Sequence, residues 1–153
     1  MTALVERALN SYSALEVETG VESASPQRLI IMLYDGAIKS VYAAKAAMAR
    51  GDVAGRGAAL SKAISIIDEG LRAALDLENG GEIAQNLMAL YDYISRRLLH
   101  ANLKNDVKSV DEAARLLGEL KQAWEVLEQR DRPPAPVLME PPERRPSVSL
   151  GKA

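Results

Sequence analysis

Apolar residues recur at three-and-four spacing in four separate stretches of the chain, each closed by turn chemistry, and the pattern predicts four helices. The first is expected from about Pro26 to Arg50. Ser25 can cap its first turn, and Pro26 suits the first helical position, where a missing N–H costs nothing. Its core-facing row reads Ile30, Leu33, Ala37, Val41, Ala44 and Met48. Gly51-Asp52 closes that helix and offers Asp52 as the next N-cap, so a second helix is expected to about Glu78, with Leu60, Ile64, Ile67, Leu71 and Ala74 along one face. A third, opened by Asn79-Gly80-Gly81, runs to about Leu103. A fourth begins near Asp106 and carries Val110, Ala113, Leu117, Leu120, Trp124 and Leu127 in register. Helices of about 25 residues are roughly 37 Å long, and linkers of a few residues force neighbours to run antiparallel. The expected fold is all-α, an antiparallel up-down four-helix bundle over residues 25–130.

The third helix has more apolar surface than one buried face needs. Ile83, Leu87, Leu90, Ile94, Leu98 and Ala101 form a core stripe, and Ala84, Met88 and Tyr91 add a neighbouring row. Either the helix is enclosed on several sides or part of that surface waits for another chain. Two segments flank the bundle. Residues 1–24 contain a short amphipathic row, Leu4, Val5, Ala8, Leu9 and Tyr12, too short to be helical without something to dock on, and are expected to form an N-terminal cap. Residues 131–153 hold every proline except Pro26 and are expected to be disordered. Within them, Val137-Leu138-Met139 reads more plainly as part of an inert solubilising tail than as a docking motif.

A chain of 153 residues suits one domain that buries roughly 70% of the surface its unfolded form exposes. Cysteine is absent, so disulfides and thiolate metal sites are excluded. A net charge of −2 with interspersed signs gives no general attraction to nucleic acid. The densest basic group, Arg96, Arg97, Lys104 and Lys108, reads as a solvated helix end. No apolar run approaches a membrane span, and the chain start lacks the pattern of a secretory signal, so a soluble cytoplasmic protein is expected.

Catalytic chemistry finds no grouping. His100 is the only histidine, and the residue three before it is Arg97, which fails the Glu-x-x-His pattern of a carboxylate-bridged bundle metal site. No metal, cofactor or enzymatic activity is expected. Tyr42 and Tyr93 are expected to bury their rings and leave their hydroxyls at the edge. Tyr91 and Tyr93 cannot share a face, so one belongs in the core and the other at a boundary, and Trp124 is expected in the core. Asn86 and Asn102, beside apolar rows, are open to hydrogen bonding with backbone or an incoming chain, or to plain solvation.

Taken in order, these residues resemble the FliS family, the flagellin-specific secretion chaperones of bacterial flagella. The resemblance runs from about Tyr12 to Trp124. It rests on Ala24-Ser25-Pro26, on Leu29 to Ala37, on Lys62-Ala63-Ile64 with Ile66-Ile67, on Leu75-Asp76, and most strongly on Gly80-Gly81-Glu82-Ile83-Ala84, Asn86-Leu87, Leu90-Tyr91-Asp92-Tyr93, Arg97-Leu98, Ala101-Asn102 and Ala123-Trp124. It implies a cytoplasmic, non-enzymatic chaperone that binds the disordered C-terminal region of flagellin, prevents premature polymerisation and delivers it to the type III export gate. It implies too that the N-terminal segment occupies part of the client surface when no client is bound, and that a FliW-type antagonist is a further partner. Tyr12 is the expected cap residue. Leu29, Leu33, Ile67, Leu71, Leu90, Ile94 and Leu98 are the expected groove, in a monomer or weak homodimer. The alternative from another class is a regulatory bundle binding a sigma or anti-sigma partner, and a third is a self-associating structural bundle. The tail after Arg130 is not part of the family pattern.

Overall fold

A computed structural model describes residues 25–131; the expected cap segment with Tyr12, and the tail beyond Asp131, lie outside the described residues. Four helices form the bundle: α1 (Pro26–Ala49), α2 (Val53–Ser65), α3 (Gly81–Lys104) and α4 (Val107–Asp131). Each start and stop has a local cause. The Ser25 hydroxyl accepts from the Arg28 N–H at 3.1 Å with Pro26 at the first helical position, and the Asp52 carboxylate accepts from the Gly55 N–H at 2.9 Å. Asn105 ends α3 in the left-handed region at φ 53°, which asparagine tolerates better than most residues.

The second helix departs from expectation. After Ser65 it continues as a π-helical segment, Ile66–Arg72, and stops there rather than at Glu78. A π turn holds more residues than an α turn, so the inward row widens: Ile66, Ile67, Gly70 and Leu71 are all buried, while Ile64 and Ala74 of the expected stripe are only partly so. Gly70 fits because a Cβ there would approach the Leu33 methyls to 3.2 Å. The return to α3 is a glycine turn. A Cβ on Gly80 would come within 2.5 Å of the Asp76 carbonyl oxygen, and Gly81 sits at φ +59°. Asn79 binds back to the Asp76 carboxylate through its backbone N–H (3.1 Å) and its side-chain amide (3.0 Å), holding that carboxyl below its usual range.

Around the bundle, α1 packs on α2 and α4, and α3 packs on α4 and on α2 with its π-helical extension, so α1 and α3 are diagonal. The core joins Leu33, Tyr34, Ala37 and Val41 of α1 to Leu60, Ile67 and Leu71, to Tyr91, Ile94 and Leu98 of α3, and to Val110, Ala113 and Leu117 of α4. Small residues at many of these positions let the helices approach closely. Polar contacts fix the registers. Arg72 pairs with Asp92 at 2.9 Å, and the Ser95 hydroxyl donates to Asp68 at 3.2 Å. At the other end Arg56 donates to the Asn102 side chain (3.0 Å) and backbone carbonyl (3.1 Å), and to Asn105 (2.8 Å), satisfying acceptors at the α3 C-terminus.

The Arg72–Asp92 pair has a geometric consequence. It sets the end of the second helix beside Asp92, so residues 81–91 of α3, about 16 Å of helix, extend past it. Ile83 on that projecting part is 73% exposed, whereas Ile94 and Leu98 further along are fully buried. Replacing Leu98 with alanine is therefore expected to lower the free energy of unfolding by about 2–5 kcal/mol, whereas Ile83→Ala stays within about 0.5 kcal/mol of the parent. Urea unfolding followed by circular dichroism checks both.

Candidate binding groove

Where three helices outrun the second one, their apolar residues line a groove instead of a core. Ile30 of α1, Leu71 and Leu75 around the end of the π-helical segment, Ile83 and Leu87 of α3, and Trp124 of α4 surround an open cavity of about 250 Å³. It continues between α3 and α4 into a second cavity of similar size, which shares Ile83, Leu87 and Trp124 and adds Leu120, Ala123 and Leu127. The lining is almost wholly apolar. Polar contacts between α4 and the start of α1 hold the last turns of α4 in place: Arg28 grips Glu128 with two hydrogen bonds of 3.0 and 2.6 Å, Lys121 pairs with Asp35 at 2.5 Å, and the Gln27 amide donates to Asp131 at 3.1 Å. Isolated surface pairs contribute little, but a two-point arginine grip fixes orientation as well as distance. It keeps Trp124 over the groove.

Beneath the groove lies a buried polar link. The hydroxyls of Tyr34 on α1 and Tyr91 on α3 stand 2.5 Å apart across the bundle diagonal, their rings tilted at 55° with centroids 6.4 Å apart. Either hydroxyl can donate. Trp124, which lines the groove, packs against the core cluster that contains this pair. Burial pushes both tyrosine pKa values up; at Tyr34 the Tyr91 hydroxyl and the polar edge of the Trp124 indole partly offset that, and at Tyr91 the Tyr34 hydroxyl adds to it.

The residues expected to form the groove separate into two groups. Leu33, Ile67, Leu71, Ile94 and Leu98 are buried at 2% exposure or less, and of these only Leu71 also touches the groove. Leu29 and Leu90 are partly buried. Ile83, Leu87, Leu120, Trp124 and Leu127, assigned to core stripes by their spacing, line the groove; Leu87, Leu120 and Trp124 also pack against the edge of the core, while Ile83 and Leu127 are exposed. Trp124 is both wall and core edge: half-buried, it packs against the core cluster with one side and lines the groove with the other. Tyr91 is the core member of its pair and Tyr93 the boundary one, its hydroxyl donating to Glu112 at 2.6 Å. Tyr42, at 56% exposure, does not bury its ring. Asn102 serves Arg56, Asn86 is exposed, and His100 lies at the surface 3.4 Å from Asp106. Among the described residues no cluster of three or more histidine or acidic side chains is placed to hold a metal, and no helix is long and apolar enough to cross a membrane.

The Tyr34–Tyr91 link makes a distinctive prediction. Tyr34→Phe leaves a buried Tyr91 hydroxyl without its partner and is expected to cost about 1–3 kcal/mol, while adding Tyr91→Phe costs less than the sum of the single changes. Both folded pKa values are raised, so the parent has its full stability below the unfolded tyrosine value near pH 10 and loses it as pH rises further, by up to about 1.4 kcal/mol per unit per tyrosine. Unfolding curves from pH 8 to 11 should fall more shallowly for the double variant than for the parent.

Comparison with known proteins agrees with the fold and the residue pattern. The family described as flagellar protein FliS matches residues 8–131. The chain is 52% identical over 116 residues to the flagellar secretion chaperone FliS of Salmonella typhimurium, covering 76% of this chain and 86% of that protein. It is 46% identical over 114 residues to the flagellar secretion chaperone FliS of Escherichia coli, covering 74% and 84%. To the flagellar secretion chaperone FliSB of Pseudomonas aeruginosa it is 42% identical over 119 residues, covering 78% and 94%. With its four-helix bundle and a family match over most of its length, the chain belongs to the FliS family of flagellar secretion chaperones.

Proposed function

We propose that this protein is a cytoplasmic, non-enzymatic export chaperone that binds the C-terminal region of flagellin, keeps it from polymerising and delivers it to the flagellar type III export gate. The observation that carries the reading is the apolar groove at the open end of the bundle, with Ile83, Leu87, Trp124 and Leu127 as its anchors. Its lining is rigid helix on both sides, which suits helix-in-groove recognition: an amphipathic client segment lays its apolar face between α3 and α4. Ordering a disordered client costs about 2–5 kcal/mol or more, and a long preformed apolar surface offsets that cost without rearrangement of the chaperone. The names of the relatives, all secretion chaperones, favour this client class over a sigma or anti-sigma partner.

Of the residues expected to contact the client, Leu71 lines the groove, partly buried Leu29 and Leu90 are proposed as secondary contacts, and buried Leu33, Ile67, Ile94 and Leu98 act through the shape of the bundle. Ile83→Asp is expected to abolish binding of a peptide covering the flagellin C-terminal region, measured by calorimetry, with the thermal midpoint of the free chain nearly unchanged. Binding at parental affinity would remove the groove from the function.

A FliW-type antagonist and the export gate remain partners on the family resemblance alone, as does the competing N-terminal cap centred on Tyr12. Removing that ring with Tyr12→Ala is expected to tighten or speed client binding, by up to about thirtyfold if the cap docks as strongly as one well-buried side chain. Unchanged affinity and association rate would take Tyr12 out of the mechanism.

A further inference from the structure

The family match ends at residue 131, yet this chain continues for a further stretch that contains one apolar triplet in an otherwise proline-rich and charged sequence. We propose that Val137-Leu138-Met139 docks in the free protein's own groove, over Trp124 and Leu127, as a built-in competitor of the client. The inference rests on the groove being the client site and adds an internal regulator to it.

Leu127, Trp124 and Leu120 line the groove, and the chain leaves α4 at Asp131, one turn beyond Leu127. Going back along the helix, Leu127 is about 6 Å from Asp131 and Leu120 about 16 Å. Proline-rich chain covers about 3.1 Å per residue when extended, so Arg132 to Pro136 spans about 16 Å. A chain that turns back along α4 therefore brings the triplet level with the α4 wall of the groove. A much shorter linker would fall short, and a much longer one would dilute the contact.

The chemistry of the triplet matches the site. The three side chains are unbranched or branched aliphatics without a polar group, entering a lining that is almost wholly apolar. Prolines at 133, 134 and 136 before it, and 141 and 142 after it, fix φ and remove backbone donors, so the flanks lose little further freedom on docking and place no N–H groups against an apolar wall. A tethered segment of this kind acts at an effective concentration of about millimolar, so even a weak contact competes with client. Arg132, Arg144 and Arg145 keep the rest of the extension in water.

Trp124 is the only tryptophan, which gives a readout on the free full-length chain with no client present. The test compares the parent with Val137→Ser/Leu138→Ser/Met139→Ser by tryptophan emission and acrylamide quenching, after circular dichroism has shown equal helicity. Uncovering Trp124 in the variant should shift its emission to the red and raise its quenching, and the difference should persist on dilution. Identical emission and quenching would overturn the proposal. So would a difference that vanishes on dilution, which would mean the tail docks on a second copy. A third contrary outcome is a parental tail variant alongside a response to Leu4→Asp/Leu9→Asp, which would assign the groove to the N-terminal segment. Because no client is used, none of these results bears on whether flagellin binds.

Discussion

The shortness of the second helix is the constraint on which the functional end of this molecule depends. A four-helix bundle closes its core only where all four helices are present, and here the Arg72–Asp92 pair marks the level at which the second one stops. Below that level Leu33, Ile67, Ile94 and Leu98 meet in a closed core. Above it α1, α3 and α4 carry on with the same apolar periodicity, and among the described residues they face only the end of the second helix and its turn, so that the edge of the core opens into a groove. The π-helical segment belongs to the same device. It turns two adjacent pairs inward, Ile66-Ile67 and Gly70-Leu71, and so completes the core in a short length before the chain leaves through the Gly80-Gly81 turn.

An open-ended bundle needs its projecting helices held apart and in place without a fourth partner. Two kinds of polar contact supply this. On the rim, Arg28 with Glu128 and Asp35 with Lys121 fasten α4 to the start of α1. At the floor, the Tyr34–Tyr91 hydroxyl pair spans the diagonal, with Trp124 packed against the same core cluster. Buried polar links are costly when half satisfied, and their worth lies in specifying one geometry. Here that geometry is the width of the groove, so the surface proposed for the client is preformed.

Much of the fold is legible along the chain because it is written in local chemistry. Ser25 with Pro26 and Asp52 act at the helix starts named for them, and Asn79-Gly80-Gly81 makes the turn into α3. The excess apolar surface of α3 is also visible as a second row beside the first. What spacing does not show is which row meets a neighbour. Ile83 and Leu98 have the same side-chain character and fall on the same stripe, yet one is solvent-facing and the other fully buried. The difference is set by the length of a different helix, and that length is changed by a π-helical segment whose residues carry no distinct periodic signature. Trp124 illustrates the same point: large and in register with Leu117, it reads as core, and it packs on the core's edge while its remaining surface lines the groove.

The most direct test of the groove as the working surface is a residue-level footprint. Backbone amide hydrogen exchange of the full-length chain, with and without a peptide covering the flagellin C-terminal region, reports where a client orders the protein. If the groove is the working surface, new protection is concentrated in residues 81–91 and 120–127, with the closed core around Leu98 and Val110 unchanged. Protection confined to the opposite end, near Val53 and Leu103, or none at all in a mixture shown to form a complex, would contradict it.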